Sequence, residues 1–178
     1  MDIRMLVMDV DGTLTDGKIY MSDHGELAKA FNIKDGYAIA HLKDYDIEPV
    51  IITGRTSEIV SRRCAELNIK ELHQGIENKS FKLRDVCDKH GVDLSQVAYI
   101  GDDLNDLPCM LISGFSACPS DAVDAVKKCV TYVCSAKGGD GAVREVIDNI
   151  VAKRTQDLSS GEFEINEIIY ETNENINS

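Results

Sequence analysis

The chain predicts an α/β sandwich around a parallel central sheet, on three observations. Strand-like and helix-like segments alternate along most of its length. Two strand segments, residues 49–52 and Val97–Ile100, are short and wholly apolar, as strands covered on both faces are. The polar residues able to do chemistry follow strand ends, where open parallel sheets bind their ligands.

Residues 3–10 are an apolar run containing Arg4 and ending in Asp9-Val10. Residues 17–31 read as a β-hairpin, with Ser22-Asp23-His24-Gly25 as its turn. Residues 35–45 carry helical spacing through Tyr37, Ile39, Ala40 and Leu42. After the strand at 49–52, Thr56 or Ser57 caps a helix to Leu67, with Ile59, Val60, Cys64 and Leu67 on one face. Glu71–His73 is a short strand, and residues 77–90 form a helix stopped by Gly91. Val97–Ile100 runs into Gly101-Asp102-Asp103, and residues 105–112 form a short helix interrupted by Pro108. Phe115–Cys118 and residues 130–133 are further strands with a short helix between them. The loop Lys137-Gly138-Gly139-Asp140 leads into a last helix over 141–153. Residues 155–178 hold no Lys or Arg and six Asp or Glu, so a domain over 1–154 is expected to end in a mobile acidic tail.

At 178 residues, one domain is the natural expectation. A net charge of −12 argues against nucleic acid or an anionic membrane as partner, since both demand positive patches. An acidic protein that binds an acidic substrate needs a local cation, either a metal or a few placed Lys and Arg. No stretch approaches the ~20 apolar residues of a membrane span, and Met1 leads into a strand rather than a secretion signal. The six cysteines form no CxxC pair and read as reduced, mostly buried thiols of a cytoplasmic protein. His24, His41, His73 and His90 show no ligand spacing and read as structural or solvent-facing.

The most informative stretch is Asp9-Val10-Asp11-Gly12-Thr13-Leu14-Thr15. A strand continuing through it would aim Asp9 and Asp11 at one place, because residues i and i+2 share a face. Two close carboxylates repel. They make sense if a cation sits between them, or if one attacks and the other moves protons. Thr53-Gly54 offers a hydroxyl and a backbone N–H at a helix start, which suits a phosphate. Lys79 opens a helix after Gly75 and can neutralise an anion. Asp102-Asp103 offers further metal oxygens, and Mg²⁺ takes one or two carboxylates plus waters and substrate phosphate oxygens. Together these parts describe metal-assisted phosphoryl transfer to an aspartate, then hydrolysis.

The constellation resembles the haloacid dehalogenase superfamily of phosphohydrolases in the order and spacing of Asp9-Val10-Asp11-Gly12-Thr13-Leu14-Thr15, Thr53-Gly54-Arg55, Lys79 and Gly101-Asp102-Asp103-Leu104-Asn105-Asp106. The resemblance implies a Rossmann-like three-layer fold and assigns roles. Asp9 would form an aspartyl-phosphate. Asp11 would protonate the leaving oxygen and later activate water. Thr53, Gly54 and Lys79 would hold the phosphoryl group. Asp9, the Asp11 backbone carbonyl and Asp102 would hold Mg²⁺, and Asp103 and Asp106 would orient Lys79 and the metal waters.

A closer resemblance covers roughly residues 3–152. Thr15-Asp16-Gly17, Lys29-Ala30-Phe31-Asn32, Lys34-Asp35-Gly36, Gln74-Gly75, Asn78-Lys79 and Gly138-Gly139-Asp140-Gly141-Ala142-Val143-Arg144-Glu145 look like the 3-deoxy-D-manno-octulosonate 8-phosphate phosphatases. Neither the 11–53 interval nor the 79–102 interval has room for a cap domain beyond the hairpin flap. The family implies a homotetramer whose hairpins pack together, with the loop 138–141 and Arg144 helping to close each site. Arg55 can pair with a sugar-acid carboxylate. Relatives acting on nine-carbon keto acids tend to carry Glu there, so Arg55 leans toward the eight-carbon octulosonate.

Plainer readings stand beside these. Thr53-Gly54 can be a helix cap, Lys79 an ordinary helix lysine, Asp102-Asp103 a pair suiting a helix dipole, and Arg55 a surface residue. Arg144 can form an i, i+4 pair with Asp148. At the level of function, the alternatives are a phosphatase for a nine-carbon keto sugar acid 9-phosphate and a non-catalytic scaffold for a sugar-acid cytidylyltransferase.

Overall fold

The structure is a computed structural model that describes residues 2–159, with side chains through residue 154. Strand β1 (Met5–Met8) is followed by an antiparallel hairpin, β2 (Tyr20–Ser22) and β3 (Gly25–Ala28), and by helix α1 (Ile33–Ala40). Then come β4 (Glu48–Ile52), α2 (Glu58–Glu66), β5 (Glu71–His73), α3 (Lys79–His90) and β6 (Val97–Ile100). The chain continues through α4 (Leu107–Met110), β7 (Phe115–Cys118), α5 (Asp124–Lys127), β8 (Tyr132–Val133) and α6 (Ala142–Ser159). All strands except the hairpin join one six-stranded sheet in the order β5-β4-β1-β6-β7-β8, with every pairing parallel.

Alternation along each strand divides the core into two layers. Leu6, Met8, Ile51 and Ile100 pack with α1, α2 and α6, whereas Met5, Val7, Val50, Ile52 and Tyr99 pack with α3, α4 and α5. Because the sheet is covered on both faces, its central strands are apolar throughout. Truncating fully buried Ile51 to Ala would cost about 3 kcal/mol through lost transfer energy and an unfilled cavity.

Local chemistry fixes the ends of the elements. Ser57, not Thr56, caps α2: its side chain accepts from the Val60 N–H. Asn78 caps α3 through the Phe81 N–H at 3.0 Å, so the helix opens on Lys79 rather than Glu77, and Gly91 ends it at φ +63°. The helix expected over 35–45 is divided. The His41 N–H bonds to the Ala38 carbonyl, and Leu42–Tyr45 tightens into a 3₁₀ turn that buries Leu42 and then Ile47 before β4. Helix α6 continues to Ser159, past the boundary expected at 154, while residues 160–178 of the acidic tail lie outside the described residues.

Five of the six cysteines are buried and Cys129 is exposed, all as free thiols. His73 and His90 each place Nε2 3.1 Å from Glu71, and His41 Nδ1 lies 2.8 Å from the Tyr37 carbonyl. Among the described residues no helix is long and apolar enough to cross a membrane.

Candidate active site

Parallel register brings the chemistry to one edge of the sheet. Met8 lies opposite Ile51 on one side and Ile100 on the other, so Asp9, Thr53 and Asp102 all emerge just beyond the carboxyl ends of adjacent strands. Asp9 extends the ladder by one bond, from its N–H to the Ile100 carbonyl at 3.0 Å. The chain then turns at once: the N–H groups of Thr13, Leu14 and Thr15 all converge on the Val10 carbonyl, at 3.2, 2.9 and 3.0 Å. Asp11 therefore sits on a turn, not on a strand tip aimed with Asp9, and the two carboxylates enter different surroundings. Gly12 is required here. Its φ is +90°, and a Cβ would fall 2.1 Å from an Asp102 carboxylate oxygen.

The floor of the site is a buried set of charges. Lys79 Nζ lies 2.9 Å from Asp9 Oδ1 and 2.8 Å from Asp106 Oδ1, with the ammonium almost wholly excluded from solvent. Asp106 is saturated. Its Oδ1 also accepts from the Tyr99 hydroxyl at 2.8 Å, and its Oδ2 accepts the N–H groups of Asp102 and Asp103 at 3.1 and 3.3 Å. It thus fixes both Lys79 and the loop after β6, and Gly101 admits it, since a Cβ there would lie 2.3 Å from the Asp106 carboxyl carbon. Asp103 is exposed and turns its carboxylate onto the next residue, Leu104, whose N–H it accepts at 2.7 Å. Asp102 accepts the Thr13 hydroxyl at 3.3 Å.

This floor carries more negative charge than its protein partners satisfy. Buried Asp9 Oδ1 has the Lys79 ammonium 2.9 Å away as its ion-pair partner and no further donor among the described residues. Burial, and then the Asp106 charge, push the Asp9 pKa up to about 6 despite Lys79. Burial and the charges of Asp9 and Asp106 push Asp102 to about 7. Lys79 is displaced upward: burial opposes its charge, but Asp9 and Asp106 outweigh burial. Ligand oxygens of Asp9, Asp102 and Asp106 lie within 4.8 Å of one another. Since Asp106 is fully engaged, Asp9 and Asp102 are the pair free to take a hard cation. Two carboxylates whose pKa values are raised first by burial and then by neighbouring charge are what such an ion would relieve.

Thr53 is buried at the end of β4, tied by its N–H to the His73 carbonyl at 2.9 Å and by its carbonyl to the Ile76 N–H at 3.0 Å. These bonds lock the Thr53 loop to the segment that leads into Lys79. Gly54 is separated from α2 by Arg55, Thr56 and Ser57, so it lies in a loop before the helix and not in the helix's first turn, as the sequence suggested.

The rim of the site is a second charge group that the sequence did not disclose. Asp11 Oδ1 is bonded by the Lys29 ammonium, which also pairs with Glu26 Oε1 at 3.0 Å. Arg55 stands 3.7 Å from the other Asp11 oxygen and 3.8 Å from Glu26, and the Ser57 hydroxyl donates to Glu26 Oε2. Lys29 and Glu26 were legible only as hairpin residues, and their pairing across the turn left no local signal. Lys29 itself stood inside a family-like stretch, the one available hint. Arg144 belongs to neither group: its Nε lies 2.8 Å from both Asp148 oxygens, the i, i+4 alternative. The loop 138–141 packs against the turn that follows Val10. A Cβ on Gly138 would fall 1.9 Å from the Gly12 carbonyl, and the Gly139 N–H bonds to the Thr13 carbonyl at 3.0 Å.

Comparison with known proteins agrees with this arrangement. Residues 71–147 match a family described as haloacid dehalogenase-like hydrolase. The 3-deoxy-D-manno-octulosonate 8-phosphate phosphatase of Escherichia coli (strain K12) is 47% identical over 147 residues, which span 83% of this chain and 78% of that protein. The crystal structure of the phosphatase of the same name from Yersinia pestis superposes with a TM-score of 0.84 at 43% identity, covering 86% of this chain and 83% of that one. The Moraxella catarrhalis phosphatase of that name, in complex with magnesium ion, phosphate ion and KDO, gives 0.83 at 36% identity, covering 90% and 94%. Fold and site together define a haloacid dehalogenase-like hydrolase. Within that class the chain belongs to the 3-deoxy-D-manno-octulosonate 8-phosphate phosphatase family.

Proposed function

We propose that the chain is a Mg²⁺-dependent phosphatase that hydrolyses 3-deoxy-D-manno-octulosonate 8-phosphate to the free sugar acid and phosphate. The observation that carries this reading is the buried floor: Asp9 is buried with one ammonium, Lys79, 2.9 Å from its Oδ1, and Asp102 crowds in from the next strand end. Asp9 attacks phosphorus as the bond to the sugar oxygen breaks, and Asp11 delivers a proton to that oxygen. In the second half Asp11 takes a proton from water as the water attacks the aspartyl-phosphate, releasing Asp9 and inorganic phosphate. Lys79 and the Thr53 hydroxyl hold the phosphoryl oxygens. Held by Asp9, the Asp11 backbone carbonyl and Asp102, Mg²⁺ would neutralise the phosphoryl oxygens and let both carboxylates ionise together.

Arg55 is half-exposed beside Asp11 and is free to turn to the carboxylate of a sugar acid. The relative crystallised with KDO, magnesium and phosphate supports the eight-carbon choice. The hairpin exposes Met21 and Leu27, each more than half accessible, which supports a homotetramer joined through hairpins. The setting proposed is cytoplasmic. Phosphate release from the octulosonate 8-phosphate and the nonulosonate 9-phosphate, each with Mg²⁺ and with EDTA, tests the substrate. A kcat/KM preference for the eight-carbon acid that EDTA abolishes is expected. Preference for the nine-carbon acid would overturn the assignment.

A further inference from the structure

We infer that Lys29 is a positioning residue that fixes the Asp11 carboxylate for proton transfer and anchors it to the hairpin and to the cap of α2. The inference rests on Asp11 being the acid of the proposed reaction.

Asp11 lies on a turn and belongs to no strand, so no ladder bond sets its side-chain direction. Two cations face its carboxylate, and they differ. Arg55 Nε is 3.7 Å away, beyond hydrogen-bond length, and its side chain is 46% exposed. Lys29 bonds the carboxylate directly and is 1% exposed. An arriving sugar acid can draw the half-exposed Arg55 away, while the Lys29 side chain is held between Asp11 and Glu26. Its ammonium is held in turn by Glu26 Oε1 at 3.0 Å. Glu26 accepts the Ser57 hydroxyl, Ser57 caps α2, and the Ser57 N–H donates to Gln74 Oε1 at 2.7 Å. Asp11 is thereby referenced through four side chains to the segment that also carries Lys79.

Two carboxylates and two cations make this rim neutral, and removing Lys29 would leave two carboxylates facing one mobile Arg55. Asp11 would then rotate away from the leaving oxygen, and misplacement by about 1 Å costs on the order of 10²-fold in rate. A purely structural ion pair would tie the hairpin down without affecting proton delivery, and leaving-group dependence separates the two. Poor leaving groups need the acid, whereas good ones do not.

The experiment measures kcat/KM for substituted phenyl phosphates of graded leaving-group pKa, with Mg²⁺, for wild type, Lys29→Met, Lys29→Arg and Asp11→Asn. For Lys29→Met we expect a loss of about 10²-fold with the poorest leaving groups and under about fivefold with p-nitrophenyl phosphate, so the plot steepens. Lys29→Arg should restore much of the shallow slope. Where Lys29→Met does not fold, Glu26→Gln, which keeps Lys29 but loosens its anchor, is expected to steepen the plot less strongly. A plot parallel to wild type, in whichever variant folds, overturns the role of Lys29, provided Asp11→Asn itself steepens it. A parallel plot for Asp11→Asn overturns the acid assignment, and the inference falls with it.

Discussion

The floor and the rim of the site are built around carboxylates two residues apart, yet they are balanced in opposite ways. On the floor, Asp9, Asp102 and Asp106 face the single buried ammonium of Lys79. On the rim, Asp11 and Glu26 face two cations, Lys29 and Arg55. The floor is left electron-rich, so it suits an added cation and a phosphoryl group. The rim is neutral, so it can hold a proton carrier beside a charged substrate without disturbing it. The sharp turn at Val10 and the glycine that follows it produce this difference. A regular strand through Asp11 would have merged the two groups.

The comparison can be broken hardest at Asp9, the proposed nucleophile. Asp9→Asn is expected to lower kcat by on the order of 10⁴-fold or more, since no general effect replaces the attacking atom. Its circular dichroism should match wild type. Turnover near the wild-type level, with back-deamidation excluded by mass spectrometry, would sink the assignment.

Lys79→Met comes next. It leaves Asp9 and Asp106 facing each other without a cation, and breaking one partner of a buried ion group costs about 3–5 kcal/mol. A large drop in melting temperature is expected without Mg²⁺, with partial recovery on adding it. A melting temperature unchanged in the absence of metal would contradict the charge balance drawn here.

The floor also sets a pH dependence. Asp9 and Asp102 have folded pKa values of about 6 and about 7, both above the ordinary 3.8. The folded metal-free protein therefore binds more protons than the unfolded chain between about pH 4 and 7, and stability falls as pH rises through that window. Mg²⁺ should raise the melting temperature more at pH 8 than at pH 5, because it competes with those protons. Equal shifts at both pH values would remove the two carboxylates as the metal's ligands.

The smallest effect belongs to Arg55. Arg55→Ala is expected to raise KM for the sugar acid roughly tenfold, the worth of one charged hydrogen bond. KM for p-nitrophenyl phosphate, which has no carboxylate, should change little. Equal changes would return Arg55 to the surface.

How legible this was from the residues follows the range of the forces involved. β6 and β7 were readable to the residue, because mostly apolar runs bounded by polar residues announce buried strands. Asp9, Lys79 and Asp102 were readable because each follows a strand or opens a helix. The division of the helix after Ala40 and the extension of α6 to Ser159 were not, since helix ends depend on tertiary contacts more than on propensity. Lys29 was the larger omission. It pairs with a carboxylate 18 residues away, on a turn whose geometry only the folded chain sets.

The division of labour between floor and rim is tested most directly by trapping the phosphoenzyme. Wild type, Asp9→Asn and Asp11→Asn would each be mixed with p-nitrophenyl phosphate and Mg²⁺, quenched in acid, and the peptide bearing residue 9 analysed by mass spectrometry. A phosphorylated Asp9 is expected to accumulate in Asp11→Asn, where water is no longer activated, and none is expected in Asp9→Asn. Phosphate found on another residue, or an Asp11→Asn enzyme that clears its phosphate as fast as wild type, would contradict that division of labour.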